Sequence, residues 1–189
     1  AFSKFKNEFG YYPKSVGAWW IGGDSLSYMQ ERYQITASLR ASDQFDLDFY
    51  SIWGTPWSIP YVSSRKHQGI PAKSFADSSE VVNLQWAARD PVEGYEDPLF
   101  SMQDYPQRGY GLEYVNHLFS IFLKQPNDNI VIGLENGGTL SVFEQYYKTI
   151  LTEAKKLENE NKVKIELAKD FSKNFLSRKK IFSETPYFL

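Results

Sequence analysis

The chain has 189 residues, a net charge of -2 and no cysteine, and its 42% hydrophobic and 23% charged residues are ordinary for one globular domain. The charge excludes a basic surface for nucleic acid or anionic membranes, and no apolar run reaches the about 20 residues that span a bilayer. The lack of cysteine excludes disulfides and thiolate metal sites, and two histidines nearly exclude a histidine metal site.

Hydrophobic periodicity predicts helices and strands that alternate along the chain. Phe2, Phe5 and Phe9 predict a short first helix that ends at Gly10, and the helix after the first strand takes Asp24 or Ser25 as its N-cap. The predicted strands are Ser15–Ile21, Ile35–Ser42, Ser58–Ser64, Val81–Ala88, Asn129–Asn136 and Lys162–Leu167. Further helices are predicted over Leu112–Leu123, from about Ser141, and over Ala168–Arg178.

This order of elements predicts the fold class. Near-continuous apolar strands with helices between them indicate an α/β fold, a mostly parallel sheet with covering helices. Such a sheet is either part of a (β/α) barrel or a distorted barrel. We treat residues 1–189 as a single α/β domain, either complete or the C-terminal half of a larger barrel.

Polar and aromatic side chains follow each of four predicted strands. In parallel α/β folds, ligands bind beyond the carboxyl ends of the strands. The sequence therefore predicts a pocket built from several strand ends. Its candidate residues are, in chain order, Trp19, Trp20, Asp24, Asp43, Gln44, Gln85, Trp86, Arg89, Asp90, Glu135 and Asn136.

Several of these residues also have purely structural interpretations. Asp24 is equally typical of a helix N-cap, and Arg89 with Asp90 is equally typical of an ion pair that holds a loop. Either Trp19 or Trp20 would point into the core, because side chains alternate along a strand. Glu135 is harder to explain structurally, because it ends an apolar strand where burial would raise the pKa of its carboxyl group and suit a general acid.

The aromatic residues point to sugars. They make up 17% of the chain, and Trp53 and Trp57 lie in the long segment between the second strand and Glu80. Trp and Tyr side chains in loops bind the flat, partly apolar faces of sugar rings. We therefore expect an oligosaccharide or polysaccharide partner, with no nucleic acid, no cofactor and no metal.

Longer stretches of the sequence resemble a known superfamily. The segments "FGYYPKSVGAWWIGGDSLSYMQERYQI", "RASDQ", "QWAARDP", "IGLEN" and "VKIELAKDFSKNFLSR" are similar to bacterial proteins of the glycoside hydrolase/deacetylase β/α-barrel superfamily. The last segment resembles the closing strand and helix of polysaccharide-deacetylase and family-57-like hydrolase barrels. The resemblance covers most of the chain as the C-terminal half of such a barrel, and it implies that an N-terminal half is missing.

The resemblance implies an activity as well. Metal-dependent deacetylases of this superfamily use an Asp and two His, and this chain has no matching histidine pair. Family-57-like glycosidases use a Glu and an Asp from different strand ends, for which this sequence offers Glu135 with Asp90 or Asp43. A glycoside-hydrolase-like function is therefore favoured over metal-dependent deacetylation.

Two other hypotheses stay open. The chain is alternatively a non-catalytic glycan-binding or cell-surface domain on a barrel framework, or a half that lacks function without its N-terminal partner. Both an enzyme and a glycan-binding domain need the tryptophans, whereas only an enzyme needs the carboxyl pair. The substrate class favours an extracytoplasmic or cell-surface location, and the sequence leaves the sugar and its linkage open.

Overall fold

A computed structural model describes residues 1–18, 21–40, 60–85, 88, 105–106, 109–124, 129–132 and 140–177. The helices are α1 (Phe2–Phe9), α2 (Gly23–Tyr33), α3 (Leu112–Phe122), α4 (Leu140–Asn159) and α5 (Ala168–Ser177). The strands are β1 (Ser15–Ala18), β2 (Ala37–Arg40), β3 (Tyr61–Ser64) and β4 (Ser78–Gln85).

The four strands form one sheet in the order β1-β2-β4-β3. β1, β2 and β4 are parallel, and β3 runs antiparallel to β4 at the edge. The predicted α/β class with a mostly parallel sheet and covering helices is confirmed. Among the described residues, the sheet is not closed into a barrel.

The sheet is covered on both faces. On one face, Val81 packs with Leu26 of α2 and with Ile35 in a buried cluster. On the other face, Val82 and Leu84 pack against α5 in a second cluster to which Phe171 and Phe175 contribute. Because side chains alternate along β4, successive residues serve opposite faces.

A third cluster joins α3 to α4. Its buried side chains include Val115, Leu118 and Phe119 of α3 and Ile150 of α4, and Ile130 packs against it. The Ala88 backbone N–H donates to the Val131 carbonyl at 2.7 Å, which places residues 129–132 beside the continuation of β4.

Several predicted boundaries differ from the structure. β4 begins at Ser78, three residues before the predicted start, because Ser78 pairs with Ser64 of β3 although residues 78–80 carry no apolar pattern. The N-cap of α2 is Gly22 rather than Asp24 or Ser25, so that prediction is wrong.

The predicted strand Lys162–Leu167 is also wrong. The structure describes these residues without a strand. The Ile165 N–H instead donates to Glu158 Oε1 at 2.8 Å, so the segment folds back on the end of α4. The segment Asn129–Ile132 likewise carries no strand, although Val131 accepts the bond from Ala88.

Candidate functional site

The three parallel strands end at the same level. Ala18 is the Cα partner of Arg40, and Arg40 is the partner of Gln85, so the last residues of β1, β2 and β4 lie in one row. In open α/β sheets the crevice beyond such an edge is the usual place for a ligand. We take this carboxyl edge as the candidate site.

Gln85 and Asp24 are the two predicted site residues that the structure describes, and they lie apart. Gln85 is the last residue of β4 and is 0% exposed. Asp24 is exposed in the first turn of α2. The adjacent Gly23 lies against the backbone of Arg65, which follows β3 next to the start of β4. Ser78 at the start of β4 and Gln85 at its end lie at opposite ends of the strand.

The other predicted site residues lie outside the described part of the chain. The predicted catalytic carboxyls and the aromatic and polar residues at the edge therefore stay predictions. They are Trp19, Trp20, Asp43, Gln44, Trp53, Trp57, Trp86, Arg89, Asp90, Glu135 and Asn136.

The edge carries buried polar side chains that the sequence analysis missed. Asn83 lies two residues before Gln85 on β4 and therefore faces the same way, and Ser38 on β2 is the Cα partner of Asn83. All three side chains are 0% exposed. We call Ser38, Asn83 and Gln85 the polar row. The signal in the sequence was the alternation in "VVNLQ", in which every second residue from Asn83 is an amide.

The polar row lies on the face of the sheet that α2 covers. Val81, two residues before Asn83, packs with Leu26 of α2, which fixes the face. Ser27 of α2 is also buried. Its Oγ and the polar side-chain atoms of the row have no hydrogen-bond partner within the part of the chain that the structure describes.

Leaving these groups unpaired is costly. A buried polar group without a partner costs about 1–3 kcal/mol, whereas a whole domain is stable by only about 5–15 kcal/mol. At the opposite end of β4, the buried hydroxyls of Ser63 and Ser79 lie 2.8 Å apart and form a hydrogen bond. Buried polar groups such as those of the row are usually hydrogen-bonded to protein groups or to buried water. Ser172 on α5 and Asn129 carry similar unpaired atoms in other elements.

Two described titratable groups near the sheet have shifted pKa values. Asp77, in the turn before β4, has a lowered pKa because its carboxylate accepts hydrogen bonds from Ser64 Oγ at 2.8 Å and from the Lys73 N–H at 3.2 Å. Burial raises the pKa of Tyr105, which belongs to the cluster between α3 and α4 together with Ala88. Asp77 lies at the end of β4 opposite the carboxyl edge, and Tyr105 is a buried core residue.

A separate surface groove lies between α3 and α4. It has a volume of about 580 Å³ and is lined by Leu112 and by polar residues of α4 that include Thr149 and Thr152. The charged groups Lys148 and Glu144 on its wall form an ion pair with each other. Neither Gln85 nor Asp24, the two predicted site residues that the structure describes, lines this groove.

Within the described ranges, no set of three or more His, Asp or Glu side chains is placed to hold a metal ion. No helix among the described residues is both long and apolar enough to cross a bilayer.

The chain matches a protein family and resembles a solved protein structure. The family described as a domain of unknown function with a solved structure, DUF3863, matches residues 2–109, more than half of the chain. A crystal structure from Parabacteroides distasonis, described as a "putative glycoside hydrolase/deacetylase", superposes with a TM-score of 0.69 and 17% identity. The alignment covers 98% of this chain and 48% of that one, so this chain spans about half the length of that protein and shares its fold. No curated protein sequence gives a significant match.

Proposed function

We propose that this chain, which belongs to the DUF3863 family, is a carbohydrate-active domain whose sugar site is the carboxyl edge of β1, β2 and β4. The observation that carries the proposal is the common level of the three parallel strand ends, because open α/β sheets bind ligands beyond such an edge. Sugar hydroxyls are groups that amides bind well. The fold shared with a protein described as a glycoside hydrolase/deacetylase supports the same substrate class.

The sequence supplies candidates for the chemistry at this edge. Glu135 is the proposed general acid, which protonates the leaving oxygen of the glycosidic bond. Asp90 is the proposed partner, because the neighbouring Arg89 favours its ionised form, and Asp43 is the alternative. A carboxyl separation of about 5–5.5 Å implies retention of configuration, and about 6.5–9.5 Å implies inversion.

The remaining candidates bind the substrate without reacting. The tryptophans stack on sugar rings, and the amides hydrogen-bond to hydroxyls. These are Trp19, Trp20, Trp53, Trp57, Trp86, Gln44, Gln85 and Asn136. Gln85 at the end of β4 is the member whose place at the edge is described. The placement of Asp24 near the other end of β4 does not support its role in the same site.

The second candidate function is non-catalytic glycan binding. The polar row favours it independently, because uncharged amides bind hydroxyls but cannot serve as a general acid or base at neutral pH. Both functions use the same edge, and they differ in whether a carboxyl pair is required.

A glycan array probed with the wild type, Glu135→Gln and Trp86→Ala tests the proposal. We expect the wild type to bind a glycan, Trp86→Ala to bind it more weakly, and Glu135→Gln to keep binding. Turnover of that glycan by the wild type, lost in Glu135→Gln, identifies an enzyme. Equal binding without turnover identifies the binding domain. If no glycan binds, the carbohydrate proposal is wrong for this chain.

A further inference from the structure

The outer surface of α1 and α2 carries large aromatic side chains that the core leaves exposed. Phe9 of α1, Tyr11 after it and Tyr28 of α2 are 58%, 60% and 58% exposed. The centre of the Phe5 ring lies 4.5 Å from that of Phe9 and 5.7 Å from that of Tyr11, so these rings form one group. Exposed apolar residues that occur singly are normal, whereas contiguous ones mark a binding surface.

Two half-buried tyrosines support the part of this surface that α2 contributes. The rings of Tyr12 and Tyr33 lie 4.9 Å apart, and Tyr28 packs edge-on against Tyr33 at 6.1 Å. Phe2 stacks on Tyr33 at 4.3 Å and also packs against the buried cluster beneath α2. The exposed rings therefore rest on packed rings. We call the following residues the aromatic platform: Phe9, Tyr11, Tyr12, Tyr28 and Tyr33.

Three cations border the aromatic platform. Lys6 Nζ lies 4.8 Å from the centre of the Tyr12 ring, and Arg32 Cζ lies 6.0 Å from the centre of the Tyr33 ring. Lys14 Nζ donates to the Tyr33 carbonyl at 3.3 Å. Within the part of the chain that the structure describes, none of the three forms an ion pair with a carboxylate.

The carboxylates of the two helices do not balance these cations. Glu31 of α2 is engaged by Arg65 at 2.8 Å. On α1, successive residues are about 100° apart around the helix axis, which places Lys6 and Glu8 on opposite flanks of the phenylalanine stripe. The whole chain has a net charge of -2, so the excess of positive charge at the platform is local.

This combination of side chains fits a sugar that carries a negative charge. Aromatic rings bind the flat, partly apolar faces of sugar rings, and Lys and Arg bind carboxylates through charge-assisted hydrogen bonds. A neutral glycan would use the rings and leave the cations without a partner. Tyr and Arg are also enriched in protein interfaces, so the test must exclude a second copy of this chain as the occupant.

We infer that the aromatic platform, with Lys6, Lys14 and Arg32, is a second glycan-binding surface that takes an acidic polysaccharide containing uronic acids. The inference rests on the proposed function and adds the charge of the glycan and a surface away from the carboxyl edge. Lys14 directly precedes Ser15, the first residue of β1, so the platform lies at the opposite end of the parallel strands from that edge. A polymer held at a second surface has a raised effective concentration at the first.

Binding of the intact chain to oligomers of galacturonic, glucuronic and mannuronic acid tests this, with the neutral oligomers of the same sugars as matched probes. We expect the wild type to prefer an acidic oligomer and to lose affinity as the salt concentration rises. We expect Lys6→Gln and Arg32→Gln each to raise the dissociation constant for that oligomer about tenfold. Tyr28→Leu should raise it as well, because leucine keeps an apolar side chain but has no flat face for a sugar ring.

Lys4→Gln is the matched control for Lys6→Gln. It removes the same charge from the other flank of α1, and Lys4 contacts no ring of the platform. We expect it to leave the dissociation constant within about twofold of the wild type. Lys4, Lys6, Tyr28 and Arg32 are all exposed, so each variant is expected to fold.

The outcomes separate this inference from the proposed function. If array glycans bind but no acidic oligomer does, or if Lys6→Gln and Arg32→Gln bind it like the wild type, the platform surface is wrong and the carbohydrate function stands. An equal loss in Lys4→Gln, or equal affinity for the neutral oligomer, also overturns the inference.

Sedimentation velocity tests the alternative occupant. A wild-type dimer that Tyr28→Leu dissociates would assign the platform to a second copy of the chain and overturn the inference, whereas a wild-type monomer is expected. If the wild type binds neither these oligomers nor any array glycan, the proposed function fails and the second surface with it.

Discussion

Two adjacent glycines at the start of α2 have very different surroundings. A Cβ built on Gly22 meets nothing within 4 Å, whereas one built on Gly23 lies 2.5 Å from the Arg65 carbonyl oxygen and 3.0 Å from the His67 nitrogen. Both neighbours are backbone atoms, so they cannot rotate away as a flexible side chain would. The close approach of α2 to the turn after β3 therefore requires glycine at position 23.

We expect Gly23→Ser to lower the free energy of unfolding by about 1–3 kcal/mol, because the added atoms force the two backbones apart. The same change one residue earlier is the control. Gly22 is the N-cap of α2, where serine is at least as favourable as glycine, so Gly22→Ser is expected to be neutral or slightly stabilising. Urea unfolding of the two variants checks this. Equal losses in both would show that α2 does not contact Arg65 as described.

Asp77 makes stability depend on pH in the acid range. Its pKa lies below the ordinary value of 3.8, chiefly because of the hydrogen bond from Ser64. A lowered folded pKa contributes stability that is present above the ordinary pKa and is lost as the pH falls through the folded value. The wild type should therefore lose this contribution on acidification below about pH 4.

Two serines that hydrogen-bond to Asp77 give a matched test. Ser64 donates to the Asp77 carboxylate, whereas the Ser74 hydroxyl accepts from the Asp77 backbone N–H. We expect Ser64→Ala to flatten the dependence of the unfolding free energy on pH between pH 6 and pH 2, and Ser74→Ala to leave it unchanged. Urea titrations at several pH values measure the slope. A slope that falls equally in both variants would contradict this account of the pKa.

At the residue scale, the sequence analysis named some of the residues at the carboxyl edge and missed others. Gln85 was predicted there because it follows an apolar strand. Asn83 and Ser38 were missed because a single polar residue inside a strand carries no sign of its burial. The exposure of Asp24 could not be read from its spacing, because it depends on how Gly23 beside it packs against the backbone of Arg65.

At the element scale, amphipathic patterns predicted every described helix, while the strands were predicted less well. α3 and α5 begin at the predicted residues, since a stripe at helical spacing has few alternative explanations. Residues 162–167 alternate between polar and apolar like a strand. Ile165 is nevertheless exposed, and its backbone N–H bonds to the Glu158 side chain instead of to a neighbouring strand. β3 could not be predicted as antiparallel, because strand direction depends on partners distant in sequence.

α5 offers a test of how the sheet is covered. Phe175 packs against the cluster that contains Val82 and Leu84. We expect Phe175→Ala to lower the free energy of unfolding by about 2–3 kcal/mol, somewhat below the cost for a fully buried Phe. Lys173→Ala on the exposed side of the same helix is expected to change it by no more than about 0.5 kcal/mol. Chemical denaturation compares them, and equal effects would show that α5 does not pack on the sheet.

At the scale of the whole molecule, the predicted mostly parallel sheet places three strand ends in one row, and the polar row follows from that register. Apolar strands separated by helices were enough to predict this architecture. The chain shares its fold with a protein described as a putative glycoside hydrolase/deacetylase, and it spans about half of that protein. The proposed catalytic carboxyls belong to residues outside the described ranges, so the activity stays a proposal.

The claim that the carboxyl edge is the ligand site is tested most directly by mapping backbone amide NMR shifts of the full chain during titration with the glycan that binds best. The account predicts shifts at Ala18, Arg40 and Gln85, the last residues of the three parallel strands, with Lys148 and Thr149 of the α3–α4 groove unchanged. Shifts confined to that groove, with the three strand ends unchanged, would contradict it.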